Sequence, residues 1–255
     1  MTKDGYILAL YRIPGLLSEE KDDIASETFE GNFAKKKEKP AVYFQHGLMD
    51  SAYAWIMHYS DKTPAFVAAR AGYDVWLSNS RGNTFSRRHQ GLDPDRDKVK
   101  FWDFGWEDMG KYDVPAVIEH ILEMKDKGTK VAYIGHSQGS TQMYYALSEH
   151  VPGVAENLSL FVALGTATKL SHAYSLNFKR QIYLYPYLSK MFSIMGIHEM
   201  FNNSWEFPLG TVVCTWLPDM CNIFYMTTVN THPELNDDDR FNVYSYGHFP
   251  HGAPV

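Results

Sequence analysis

Five residues, Gly135-His136-Ser137-Gln138-Gly139, have the types and spacing most suited to chemistry. They follow a short apolar run, Val131-Ala132-Tyr133-Ile134, and lead into a helix-like segment, Gln138 to Leu147. A serine between two glycines in a strand–turn–helix setting is the pattern of a nucleophile elbow, where a strained turn lifts the hydroxyl clear of the sheet. In such a turn, side chains at positions 135 and 139 would collide with neighbouring backbone, so glycine is required there. The chemistry that fits is acyl transfer, with the Ser137 hydroxyl attacking a carbonyl carbon. Gly-x-Ser-x-Gly alone is a weak signal; the strand before it and the helix after it give it weight.

Acyl transfer also needs two backbone N–H groups aimed at the oxygen that gains charge. Gln138, directly after the nucleophile, supplies one. The other comes from a loop after an earlier strand, and His46-Gly47-Leu48 ends the apolar run Pro40 to Gln45. The second donor is therefore placed on Leu48.

The elements that must hold these residues alternate. Tyr6 to Ile13 reads as a strand, Ser18 to Lys39 as a polar surface loop, and Pro40 to Gln45 as a buried parallel strand. Thr63 to Arg70 reads as a helix closed by Gly72, and Tyr73 to Leu77 as the next strand. Asp113 is placed as the N-cap of a helix with Pro115 in its first turn. Val114, Val117, Ile118, Ile121 and Leu122 then form one buried stripe. Phe161 to Leu164 is a further strand. Strands alternating with helices imply a mostly parallel sheet covered on both faces, an α/β fold. From residue 168 to about 240 the alternation stops and aromatic and methionine residues crowd in, which reads as a mainly helical insertion over the sheet.

Composition limits the function. A 45% hydrophobic, 21% charged chain of 255 residues can bury a sizeable core. A net charge of −6, with Lys35-Lys36-Lys37 as the sole basic block, argues against a nucleic-acid partner. No apolar run reaches the roughly 18 residues needed to span a bilayer. Lys3 and Asp4 make the start too polar for a signal peptide, so no signal peptide is expected in this chain. No cofactor and no metal site is expected. Cys214 and Cys221 could close a small loop or remain thiols.

Several segments resemble the gastric and lysosomal acid lipases. They are Thr2 to Leu8, Gln45-His46-Gly47-Leu48 with Trp55, Ala71 to Leu77, Asn79-Ser80-Arg81-Gly82-Asn83, Tyr112 to Ala116, and the elbow itself. The resemblance implies an α/β-hydrolase fold and hydrolysis of triacylglycerols or sterol esters in lipid catabolism. It implies a helical cap or lid, transient contact with a lipid surface, and a secreted or lysosomal location. On this reading residues 1–167 are the N-terminal part of the core, 168–243 the cap, and 244–255 the return to the core. Cys214 and Cys221 approximate a cap disulfide of the family, at slightly shorter spacing.

In that family the catalytic acid and histidine follow the cap, and no residue of this chain occupies either position. Of His150, His172, His198, His232, His248 and His251, none is assigned as the base. The chain then reads as C-terminally truncated, lacking the last strands of the sheet, with Phe161 to Leu164 left as an open edge. The alternative to an active lipase is accordingly a catalytically incomplete fragment or pseudoenzyme, at most lipid-binding, poorly soluble and nearly inert when expressed alone. Arg81 and Asn83 are read as braces for their loop, and Asp74 and Asp113 as turn or cap residues. Asn157-Leu158-Ser159 and Asn202-Asn203-Ser204 are glycosylation sequons, relevant to an exported form.

Overall fold

The computed structural model describes residues 1–15, 38–168 and 176–200, together with Trp216, Arg240, Val243, Ala253 and Pro254. Cys214, Cys221, His172, His232, His248, His251 and the sequon at Asn202 lie outside the described residues.

A five-stranded sheet carries the fold. Its strands are Leu10–Ile13 (β1), Ala41–Gln45 (β2), Asp74–Ser78 (β3), Val131–His136 (β4) and Leu158–Leu164 (β5), in the order β1-β3-β2-β4-β5. β1 runs antiparallel to β3, and the other pairs are parallel. β1 is shorter than the strand expected over Tyr6 to Ile13. Tyr6 instead makes an isolated bridge to His89, and its ring is buried against Phe101 and Phe104. β5 is longer than expected and begins at Leu158.

β2 and β3 are buried at every position. Alternate residues therefore feed two cores, as expected of central parallel strands with no face toward water. Tyr43, Trp76, Val131 and Tyr133 face one core, and Val42, Phe44, Val75 and Leu77 the other. Helices join the strands: Pro64–Arg70 (α1), Val114–Glu123 (α2) and Gln138–Ser148 (α3). α1 packs Ala65 and Ala69 on the second core, and Gly72 follows it at φ +88°. The α2 stripe at Val114, Val117, Ile118 and Ile121 is buried in the first core, with Leu122 at its margin. Burying each such aliphatic side chain contributes about 1.5–3 kcal/mol, so this face alone anchors α2.

Asp113 corrects the sequence reading. It precedes α2, but its backbone is already helical, at φ −73° and ψ −49°, and its side chain makes no cap bond. A π-helical turn, Met109–Asp113, leads directly into α2 and turns the Asp113 carboxylate inward to Arg81. Asp74 is likewise no turn residue. It opens β3, where Arg12 and Lys125 bind its buried carboxylate at 2.8 and 2.7 Å.

After β5 the described chain continues as a long helix, Leu176–Ile194 (α4), with Pro186 inside it. Tyr183, Tyr185, Tyr187, Met191 and Ile194 on it are exposed. A two-residue pair follows, Glu199–Met200 (β6) with Ala253–Pro254 (β7). Arg87 ties Glu199 to the core loop after β3 at 2.8 Å. Among the described residues, no helix is long and apolar enough to cross a membrane.

Candidate active site

β2 and β4 are neighbours in register, Gln45 opposite Gly135, so the loops leaving their C-terminal ends emerge side by side. One loop is His46-Gly47-Leu48 and the other begins at Ser137. Ser137 sits between β4 and α3 at φ +50° and ψ −117°. That is a region L-residues seldom occupy, and it is held here because the surroundings over-determine it. The Ser137 N–H donates to the Leu164 carbonyl at 2.8 Å, and the Ser137 carbonyl accepts from the Ser140 N–H at 3.0 Å. A β-carbon on Gly135 would stand 2.7 Å from the Gly139 carbonyl carbon and the Ser140 nitrogen. Both glycines of the motif are thus fixed by backbone approach.

Gly47 closes the other side. A β-carbon there would lie 3.2 Å from the β-carbon of Ser137. Leu48 follows Gly47 in that loop, and Gln138 follows Ser137 as the first residue of α3. Among the described residues, neither the Leu48 nor the Gln138 backbone N–H makes a hydrogen bond. Ser137 also stands at the N-terminus of an 11-residue helix, where the helix dipole favours negative charge. Two unspent donors and a helix N-terminus beside one hydroxyl can stabilise an oxyanion.

Under this surface lies a buried polar layer that residue type alone did not reveal. Ser80 Oγ accepts from Gln45 Nε2 at 2.8 Å and from Gln142 Nε2 at 3.2 Å. Tyr43 donates its hydroxyl to Gln45 Oε1, and Tyr133 donates to the Gly139 carbonyl, both at 2.7 Å. Burial pushes both phenols above the usual tyrosine range, so they act as neutral donors. Asn83 spans the same layer, donating to Asn79 Oδ1 at 2.9 Å and to the Asp50 carbonyl at 3.2 Å. It is the loop brace expected of it. The usable signal was Gln45, a polar residue ending an otherwise apolar buried strand.

Arg81 is a brace of a different kind. It is 2% exposed, bonds Asp113 through Nε at 2.8 Å, and reaches Asp4 at 2.5 Å. Its guanidinium lies 4.2 Å from the Tyr6 ring centroid. These contacts bind the N-terminal segment, the loop after β3 and the entry to α2 to one another. Of the described histidines in the second half, His150 lies just past the far end of α3, after its C-cap Glu149, at φ +51°.

A family model described as the α/β-hydrolase fold matches residues 40–250. A second, described as a partial α/β-hydrolase lipase region, matches residues 1–59. Gastric triacylglycerol lipase of Mus musculus is 39% identical over 259 residues, covering 99% of this chain and 60% of that protein. Lysosomal acid lipase/cholesteryl ester hydrolase of Homo sapiens is 36% identical over 261 residues, covering 100% and 59%. Lipase member K of Homo sapiens is 35% identical over 261 residues, again covering 100% and 59%. The chain spans about 60% of the length of these curated relatives.

Proposed function

From the premise that this chain belongs to the α/β-hydrolase fold family, we propose that it is a serine carboxylester hydrolase acting on lipid esters, triacylglycerols or sterol esters. The observation that carries the reading is Ser137 at positive φ on the N-terminus of α3, with Gly47 packed against it. Ser137 Oγ attacks the ester carbonyl carbon while a general base takes its proton. The carbonyl oxygen becomes an oxyanion, held by the Leu48 and Gln138 N–H groups. Collapse expels the alcohol, which takes the proton from the base, and water then releases the acid from the acyl-serine. Neither His46, both of whose ring nitrogens are bonded, nor His150, at the far end of α3, is the base.

Residues 168–243 act as a cap over a lipid pocket, and contact with a lipid surface accompanies turnover. The exposed tyrosines of α4 support both, since a surface rich in apolar contacts suits an aggregated substrate. The names of the relatives favour an exported or lysosomal setting.

The test uses the full-length gene product and its Ser137→Ala variant. Labelling by a fluorophosphonate probe and hydrolysis of p-nitrophenyl butyrate, triolein and cholesteryl oleate are expected of the first and lost in the second. Retained turnover in Ser137→Ala would refute the assignment. Deleting the cap should alter activity on emulsified triolein more than on p-nitrophenyl butyrate; equal loss on both would remove the lid role.

A further inference from the structure

The His46 imidazole is buried, 2% exposed, at the point where β2 gives way to the loop beside Ser137. Its Nε2 lies 3.0 Å from the backbone nitrogen of Ser80. An amide N–H can only donate, so Nε2 carries a lone pair and the proton of the neutral ring sits on Nδ1. Nδ1 lies 2.8 Å from the Gly47 carbonyl oxygen and donates to it. In a trans peptide the C=O and the following N–H point in opposite directions. The bond therefore draws the Gly47 carbonyl toward the imidazole and turns the Leu48 N–H away from it.

We propose that His46 is a positioning residue, locked as the Nδ1–H tautomer, which orients the Gly47–Leu48 peptide so that the Leu48 N–H faces an oxyanion formed at Ser137. The proposal rests on the ester-hydrolase reading above and deepens it. Two further features support it. The anchor is itself fixed, because the Ser80 hydroxyl is bound from β2 by Gln45 and from α3 by Gln142. The loop is also under tension, since Met49, directly after Leu48, holds φ +54°. A non-glycine residue in that conformation persists only where neighbouring contacts enforce it.

The test separates donor from bulk. An asparagine amide places a nitrogen where Nδ1 stands, whereas a glutamine amide reaches the place of Nε2. In the full-length gene product, His46→Gln should lower kcat for p-nitrophenyl butyrate about 100-fold with little change in KM, the order expected for losing one oxyanion donor. His46→Asn should recover at least about tenfold of that loss. If His46 served packing alone, glutamine, closer in volume, would be the better replacement, so kcat for Gln equal to or above Asn overturns the proposal. Nitrogen-15 spectra of labelled histidine give an independent reading. The Nδ1–H tautomer at His46 is expected, and an Nε2–H or cationic ring overturns the proposal whatever the kinetics. A wild-type protein without ester turnover refutes the proposed function instead, and the tautomer then decides how His46 holds its loop.

Discussion

The α-carbon of Gly139 faces the carbonyl oxygen of Gln45 so closely that a β-carbon there would stand 2.6 Å from it, and 2.7 Å from the His46 carbonyl. α3 is thereby seated on the end of β2, and the Ser137 turn is pressed against the loop that follows it. Both obstructing atoms belong to the backbone, so neither can swing aside. Gly139→Ala should cost about 3 kcal/mol, at the upper end of over-packing penalties. Gly91, which has open space around it and no positive φ, is the control, and Gly91→Ala should stay within about 0.5 kcal/mol. Urea unfolding of the two variants checks this; equal midpoints would mean that the approach of α3 to β2 is not rigid.

Ser137 gives a prediction of opposite sign. At φ +50° its β-carbon is a liability to the fold, one that the proposed nucleophile cannot do without. Ser137→Gly should abolish ester hydrolysis and raise stability by about 1 kcal/mol, the order of the left-handed penalty for an L-residue. Ser137→Ala should abolish activity without that gain, because it keeps the β-carbon. Thermal unfolding of both variants decides; Gly no more stable than Ala would show that the turn is unstrained.

What could be read in advance followed from periodicity and from turn chemistry. The strands leading to Gln45 and Ile134, the stripe of α2 and the two motif loops all announce themselves, because burial on a regular element repeats. Asp113 did not. Its position before Val114 and Pro115 reads as a cap, but the π-helical turn Met109–Asp113 changes the phase of the helix and sends the carboxylate to Arg81. Such a turn leaves no compositional trace. Ser80 and Gln142 give no such signal for another reason: a polar residue type argues for exposure, and only the three-dimensional meeting of their side chains, with that of Gln45, makes burial tolerable. Tyr6 left the expected strand because its ring finds a better site among Phe101, Phe104 and the Arg81 guanidinium.

Arg81 separates structural from substrate roles. Burial pushes the Asp113 carboxyl above the usual carboxylate range, and Arg81 is the cation that works against this. Arg81→Met would leave a buried carboxylate with no counter-charge and should cost about 3–5 kcal/mol at neutral pH. Part of that loss should return on acidification as Asp113 takes up a proton, and the double variant Arg81→Met with Asp113→Asn should be more stable than the single one. Turnover per folded molecule should change little. A variant of normal stability with lost turnover would instead make Arg81 a substrate contact.

The far end of the sheet should set part of the acid limit of stability. Asp74 is buried at the start of β3, and burial by itself would raise its pKa; the hydrogen bonds from Arg12 and Lys125 outweigh that and hold the carboxyl below the usual range. A carboxylate with a depressed folded-state pKa contributes stability above its unfolded value, about 3.9, and loses it as pH falls through the folded value. The contribution is therefore full at neutral pH and vanishes only on the acid side of about pH 4. Asp74→Asn removes the nearer counter-charge of Lys125, whose side chain is 3% exposed and whose other carboxylate, Glu38, stands at 3.9 Å, and should cost about 3 kcal/mol at pH 7. Because the carboxylate is lost from the wild type as well in acid, the two stability curves should converge between about pH 4 and pH 2. Chemical denaturation at several pH values measures both curves. Curves that stay parallel to pH 2 would show that Asp74 keeps its charge throughout, or that the loss in the variant is one of packing alone.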